Sequence, residues 1–316
     1  MNVINLTHPH SFNANDLSPT VLALGYFDGV HLGHKKVITT AKKIADQRGY
    51  KSAVMTFHPH PAVVLRNSVE HGECITSIAD KEEEIRKLGI DTLYIVQFCH
   101  SFAELLPQQF VDQYIIDLNV KHVVAGFDYT YGRLGKGTME TLPFHSREKF
   151  TQTVIDKVVE KNEKISSTLI RELIHEGNMQ ILPHYLGRYY TMHGKVIHGE
   201  KRGRLLGFPT ANIELFAKYI LPPTGVYAVR IFVNNRYYNG VLNIGFKPTF
   251  HDETKIKLAI EAHIFDFNES IYGEQVIIEW HQRLRQEQKF QSVEQLISQI
   301  HADKEDALRY FGAIRH

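Results

Sequence analysis

Short apolar runs alternate with helix-spaced apolar stripes through the first half of the chain. Residues 20–26 (TVLALGY) form an apolar run that predicts a buried strand. After a glycine-rich turn, Val37, Ile38, Ala41, Ile44 and Ala45 recur at helical spacing, and Gly49 predicts the stop. Further strands are predicted over 52–57, 93–98, 120–125 and 153–159. Between them lie a charged helix near 79–88 and a helix opened by Pro107, whose apolar face is Phe110, Tyr114, Ile115 and Leu118. Ser167 precedes a short helix carrying Ile170, Leu173 and Ile174. Strands separated by helices predict a mostly parallel sheet covered by helices.

After about residue 186 the period shortens. Segments 189–197, 225–233, 237–244, 258–265 and 275–280 predict strands with little helix between them. Asn234 and Asn235 mark a hairpin turn. The segment 251–257, which carries Lys255, predicts a loop. An antiparallel β unit of this kind predicts a small barrel. It ends in one helix, started by a Ser292/Gln295 capping pattern and striped by Val293, Leu296, Ile297 and Ile300. The change of period predicts two domains, 1–185 and 186–316, which agrees with a length of 316 residues.

Composition narrows the function. Lys and Arg total 36 and Asp and Glu 35, a balance that argues against a nucleic-acid binder. No apolar run approaches the roughly 20 residues that span a bilayer, so no membrane partner is expected. The N-terminal ten residues lack the features of a secretory signal. Two cysteines, Cys74 and Cys99, provide neither a disulfide framework nor a cysteine zinc site. A reducing, cytoplasmic setting is the expectation.

The first candidate site follows the first predicted strand, in residues 25–34 (GYFDGVHLGH). Gly25, Gly29 and Gly33 let the backbone turn tightly and approach a ligand. The N-terminus of the following helix favours phosphate. His31 and His34 share one face of its first turn and can donate to phosphate oxygens. His-x-x-His is also a metal-ligand spacing, but it needs a third ligand that the neighbouring sequence lacks. The glycines could equally shape a plain turn. Residues 126–137 (GFDYTYGRLGKG) follow another strand, where a parallel sheet places its ligand crevice. Residues 165–171 (ISSTLIR) offer three hydroxyls and Arg171, although Ser167 also suits a simple N-cap.

These three segments, with 56–61 (TFHPHP), resemble the adenylyltransferase half of the bacterial bifunctional riboflavin kinase/FAD synthetases, nucleotidyltransferases with an H-x-G-H signature. The resemblance implies a Rossmann-like fold and transfer of AMP from ATP to FMN. It implies that Gly25, Phe27, Asp28, Gly29 and Gly33 line the ATP loop and that His31 and His34 act catalytically on the phosphates. It further places Ser167, Thr168 and Arg171 at the triphosphate, and Asp128 by flavin or nucleotide. Tyr26 and His58 depart from the family pattern, where Asn and an acidic residue are common.

The second candidate site lies in residues 198–212 (HGEKRGRLLGFPTAN). Gly203 and Gly207 suit a phosphate-facing loop, Pro209 fixes the backbone, and Thr210 and Asn212 offer hard oxygen ligands for Mg²⁺. An ordinary β-turn accounts for part of this pattern too. The Walker ending is missing. In 258–264 (LAIEAHI), alternation turns Ala259, Glu261 and His263 to one face, either solvated or presenting a general base.

This half is similar to the riboflavin kinase module. The matches include 203–212, 223–228 (PTGVYA), 243–250 (NIGFKPTF), Glu261, His263, 272–273 and 285–287. The resemblance implies a six-stranded antiparallel Greek-key barrel, Mg²⁺-ATP held by Gly203, Gly207, Pro209, Thr210 and Asn212, activation of the ribityl 5′-hydroxyl by Glu261, and flavin contact by Arg285. The implied substrates and products are ATP, riboflavin, FMN and FAD. A cytidylyltransferase of a phosphorylated alcohol shares the H-x-G-H loop but gives the barrel no role. A non-enzymatic flavin sensor leaves His31, His34, Thr210, Asn212 and Glu261 unexplained.

Overall fold

The computed structural model describes residues 1–66, 72–160, 163–199, 203, 207–249 and 252–314. Contacts divide the chain into two compact units, Met1–Ser167 and Thr168–His316.

The first unit is built on six parallel strands: β1 (Asn2–Leu6), β2 (Thr20–Leu24), β3 (Lys51–His58), β4 (Thr92–Gln97), β5 (Val120–Gly126) and β6 (Thr151–Ile155). Their order across the sheet is β1-β4-β3-β2-β5-β6. Every residue of β2 is buried, because helices cover both faces of the sheet. Alternation sends Val21 and Ala23 to one core, with Val37, Ile38 and Ala41 of α1 (Leu32–Arg48). Leu22 and Leu24 enter the other, with Phe102, Phe110 and Tyr114. Gly49 ends α1 in the left-handed region at φ 67°, as expected.

The sequence expectations differ from the structure at several places in this unit. β1 was not predicted, because Val3, Ile4 and Leu6 are too few to set a period at an edge. The strand expected over 153–159 ends at Ile155, and Val159–Glu160 instead pairs with Glu163–Lys164. The Pro107 helix is α-helical only over Pro107–Val111 and continues as a π-helical turn, Asp112–Ile116. That wider turn still buries Tyr114 and Ile115.

The strand order places the first site. The chain leaves β2 toward β3 on one side, and β5 returns to its other side. Such a switch point opens a crevice at the strand C-termini. The loops 25–31 and 127–137 both begin there.

In the second unit, β7 (Tyr190–Ile197), β8 (Ala211–Leu215), β9 (Gly225–Val233), β10 (Arg236–Thr249), β11 (Asp252–Ile264) and β12 (Gln275–Gln286) close an antiparallel barrel in the order β7-β8-β11-β10-β9-β12. Asn234 and Asn235 make the two-residue hairpin turn with φ of 50° and 59°. The short strand β8 was hidden in the sequence by the turn residues before it. The segment expected as a loop over 251–257 is strand from Asp252 onward, and residue 251 lies outside the described residues. The terminal helix, Val293–Ala313, packs Ala307 and Phe311 on Val226, Ala228, Val241 and Phe265. Residues 168–186 belong to this unit by contact, and the helix α2 of the first unit spans Ile78–Lys87.

Candidate functional sites

The turn between β2 and α1 is shaped by three left-handed residues, Phe27 (φ 55°), Gly29 (φ 86°) and Val30 (φ 39°). Gly25 is needed for close approach: a Cβ there would lie 2.7 Å from the Phe27 ring. Asp28 is buried. Its carboxylate accepts from the Ile75 N–H at 3.0 Å and the Thr76 N–H at 3.2 Å, so it ties the turn to the segment before α2. The carboxylate therefore sets the loop's shape in this structure.

His31 caps α1. Its Nδ1 accepts from the His34 N–H at 3.2 Å. That nitrogen must then be unprotonated, which leaves the proton of the neutral ring on Nε2, ready to donate. The His31 and His34 rings stack, with centroids 3.5 Å apart and planes 17° from parallel. A Cβ on Gly33 would come within 3.1 Å of the His31 ring, so glycine makes room for the stack. Burial holds the His34 pKa well below its usual value, with His31 and Lys81 adding to the effect. His34 is thus neutral at neutral pH. Its Nδ1 is buried without a hydrogen-bond partner, and the edge of Phe27 meets its ring.

Ser167 is brought to this turn: its Oγ donates to the Asp28 carbonyl at 2.9 Å. Thr168 and Arg171 follow on the same helix, Ser167–Glu176, and Arg171 shares the Ser167 face at i+4 spacing. Asp128 stands after β5, where its carboxylate takes an ion pair from Lys164 Nζ at 2.6 Å. Lys164 also lies over the Phe127 ring. Tyr26 contributes its carbonyl, which accepts from Thr56 Oγ1 and Lys81 Nζ, both at 2.7 Å. The His58 pKa is lowered by burial and by Lys81. The sequence did not single out Lys81, although Ile78, Lys81 and Ile85 are spaced as one helical stripe. Among the described residues, no group of three or more His, Cys, Asp and Glu could hold a metal ion.

The second site is set by strand register. Asn212 of β8 pairs with Glu261 of β11, Glu261 with Asn243 of β10, Asn243 with Val226 of β9, and Val226 with Arg285 of β12. Direct partners in an antiparallel sheet share a face. Asn212, Glu261, Asn243 and Arg285 therefore lie along one row, on the face opposite Ile260, Ala262 and Ile264, which are buried. Asn243 is the member that sequence reasoning left without a role.

Gly207 turns at φ 85°, and the Phe208 N–H bonds back to the Gly203 carbonyl at 2.8 Å. Residues 200–202 and 204–206 of this loop lie outside the described residues. The Pro209 carbonyl meets His263 Nδ1 at 2.8 Å, so that ring nitrogen carries the proton and donates. Thr210 lines a cleft of about 230 Å³ with Val196, Ala262, Phe267 and Tyr272. His198 stacks on Tyr272 with centroids 4.1 Å apart. Arg285 is engaged by the terminal helix: its Nε and Nη2 donate to the two oxygens of Asp303 at 2.8 and 2.9 Å.

The first unit carries a histidine-capped glycine turn at a sheet switch point, and the second is a closed barrel in which a carboxylate pairs across strands with an asparagine; each suits a transferase that uses nucleotides. Comparison with known proteins gives the particular family. An FAD synthetase family model matches residues 13–169, and a riboflavin kinase model matches residues 186–311. The bifunctional riboflavin kinase/FMN adenylyltransferase of Bacillus subtilis is 51% identical over 315 residues, covering 100% of both chains. The Listeria monocytogenes enzyme of that description is 46% identical over 99% of each chain, and that of Escherichia coli K12 is 30% identical over 96% of each. The chain belongs to the bifunctional riboflavin kinase/FMN adenylyltransferase family. A solved Streptococcus pneumoniae structure described as a macrolide-efflux protein has the same fold, with a TM-score of 0.87 and 36% identity over 96% of this chain and 98% of that one. Among the described residues of this chain, no helix is long and apolar enough to cross a membrane.

Proposed function

We propose that residues 1–185 carry the adenylyltransferase work of this bifunctional enzyme and residues 186–316 the kinase work, with His31 and His34 acting at the first site and Glu261, Thr210 and Asn212 at the second. At the kinase site the 5′-hydroxyl of riboflavin gives its proton to Glu261 while its oxygen bonds to the γ-phosphorus of ATP. The bond from γ-phosphorus to the bridging oxygen breaks, leaving FMN and ADP. The observation that supports this assignment is the pairing of Asn212 with Glu261 across β8 and β11. The Thr210 hydroxyl and Asn212 amide oxygen are the hard ligands suited to Mg²⁺ on the ATP phosphates. When bound, the ion neutralises part of the phosphate charge. Gly203, Gly207 and Pro209 let the loop approach the phosphates. Arg285, held by Asp303, stands at the far end of the row, toward the flavin.

At the first site a phosphate oxygen of FMN bonds to the α-phosphorus of a second ATP, and the bond to the β-phosphate breaks, releasing pyrophosphate and FAD. No protein nucleophile is required. The task is to bring two anions together and to meet charge on the leaving group. The His31 Nε2–H and the α1 N-terminus offer donors that need little rearrangement. His34, kept neutral, can also donate without adding a charge that burial would penalise. Ser167, Thr168 and Arg171 are assigned to the triphosphate, and Asp128 to the flavin or nucleotide rim. The substrates are small molecules, with neither nucleic acid nor membrane involved, and the setting is the cytoplasm.

Separate variants test the separate sites. Glu261→Gln should lower FMN formation at least a hundredfold while supplied FMN is still converted to FAD. His31→Ala should do the reverse. A folded Glu261→Gln enzyme that loses both activities, or a His31→Ala enzyme that slows only the kinase step, would reject the assignment.

A further inference from the structure

Lys81 is a buried charge that the chemistry above does not use. It lies in the first turn of α2 and is 3% exposed. Its Nζ donates to the Tyr26 carbonyl at 2.7 Å and to Thr56 Oγ1 at 3.2 Å, and lies 4.3 Å from the Tyr26 ring centre. Thr56 Oγ1 donates to the same carbonyl. Donors from α2 and β3 thus converge on the carbonyl that opens the turn before His31.

The fold alone does not call for a cation here. Thr56 already satisfies the carbonyl, and an apolar side chain of similar length could fill the space. Burying an ammonium against neutral acceptors is costly. The cost appears in its pKa, pulled down to about 8 by burial while Asp28 and Cys74 draw it upward. Asp28 commits its carboxylate to the Ile75 and Thr76 N–H groups, so it only partly offsets the charge. His34 on α1 and His58 at the end of β3 face the same ammonium: burial lowers the pKa of both, and the ammonium adds to the effect. Its positive potential therefore reaches the histidine that stacks on His31. A tetra-anionic triphosphate entering at the α1 N-terminus is the ligand such a potential favours.

We propose that Lys81 is a positioning residue for adenylyl transfer: its buried ammonium fixes the Tyr26 carbonyl, and with it the 26–30 turn, and supplies positive charge beneath the loop that receives the ATP phosphates. The proposal rests on the assignment of 25–34 to those phosphates. Lys81 acts through Tyr26 and through the field, without contact to the reacting atoms.

The test measures kcat/KM for ATP in the conversion of FMN to FAD, at saturating FMN, from pH 7 to 9.5. Above pH 7 the substrate phosphates have lost their last protons, since such groups titrate near pH 6. In the wild-type enzyme kcat/KM should fall above about pH 8, approaching tenfold per unit. Lys81→Met should lower kcat/KM at pH 7.5 at least tenfold, chiefly through KM, and remove the break. Lys81→Arg should recover most of the loss and keep activity to higher pH. FMN formation from riboflavin by the same Lys81→Met preparation should stay within twofold of wild type. A Lys81→Met enzyme with a lower melting temperature but unchanged KM and an unchanged break would make Lys81 merely structural and overturn the proposal. If Lys81→Met does not fold, the wild-type profile decides: no break between pH 7 and 9 overturns it. Failure of the underlying assignment shows separately, as unimpaired adenylyl transfer by His31→Ala.

Discussion

Replacing Asp303 with Ala should loosen the terminal helix from the barrel. Asp303 is 4% exposed and holds Arg285 through two parallel bonds of 2.8 and 2.9 Å, while Gln299 Nε2 donates to Oδ1 at 2.9 Å. Removing the carboxylate leaves a largely enclosed guanidinium without its partner. Breaking a buried pair from one side costs about 3–5 kcal/mol, and the partial access of Arg285 to water reduces this to about 2–4 kcal/mol. At roughly 2–4 °C per kcal/mol for a unit near 150 residues, the barrel transition should fall by about 4–16 °C. Calorimetry of the full chain reads the shift, and kinase activity remaining after timed heating identifies the unit that melted. Asp303→Asn, which keeps the shape and loses the charge, should lie between the two. Because Arg285 shares a row with Glu261, the loss should also raise KM for riboflavin while leaving FMN adenylylation unchanged. An Asp303→Ala transition within about 1 °C of wild type would show that the Arg285–Asp303 pair does not hold the helix to the barrel.

Other substitutions probe single contacts. His263→Ala removes the donor to the Pro209 carbonyl and should slow FMN formation about tenfold, whereas His263→Asn, which keeps a donor, should recover most of it in steady-state assays. Gly33→Ala places a methyl against the His31 ring and should cut FAD formation about tenfold with kinase activity intact, read on the same samples. His122 is buried between the Thr151 and Thr153 hydroxyls, and burial, with Arg48, lowers its pKa to about 4. The unfolded chain then binds a proton at higher pH than the folded one, so the first unit should lose stability as pH falls from about 6.5 toward 4. Melting curves across that window should show the decline, and His122→Asn should flatten it.

The parallel sheet was legible because its central strands, buried on both faces, stand out as apolar runs such as 20–26. The turn that carries the first candidate site was legible for a related reason: glycines and histidines crowd between a buried strand and a helix with a clear stripe. β1 was not, since an edge strand of five residues carries little periodic signal. β8 was masked by Gly207 and Pro209, which mark a turn and conceal the pairing that begins at Ala211. The row from Asn212 to Arg285 depends on register among five strands, and alternation within one strand fixes only which face a residue takes. So Glu261 could be placed on a face, while its neighbours Asn212 and Asn243 could not be assigned to it. Arg285 shows the same limit, since its partner Asp303 lies on the helix that follows the barrel. Lys81 did leave a trace, as a charged residue between Ile78 and Ile85 on one stripe of a helix otherwise rich in surface charge.

Two successive transfers by one chain would be seen in a chromatographic time course. Purified enzyme is given riboflavin, ATP and Mg²⁺, and riboflavin, FMN and FAD are followed together. FMN should appear first and FAD follow, with pyrophosphate released in step with FAD. Failure of FMN to form from riboflavin, or failure of supplied FMN to become FAD, by the folded full-length chain would contradict it.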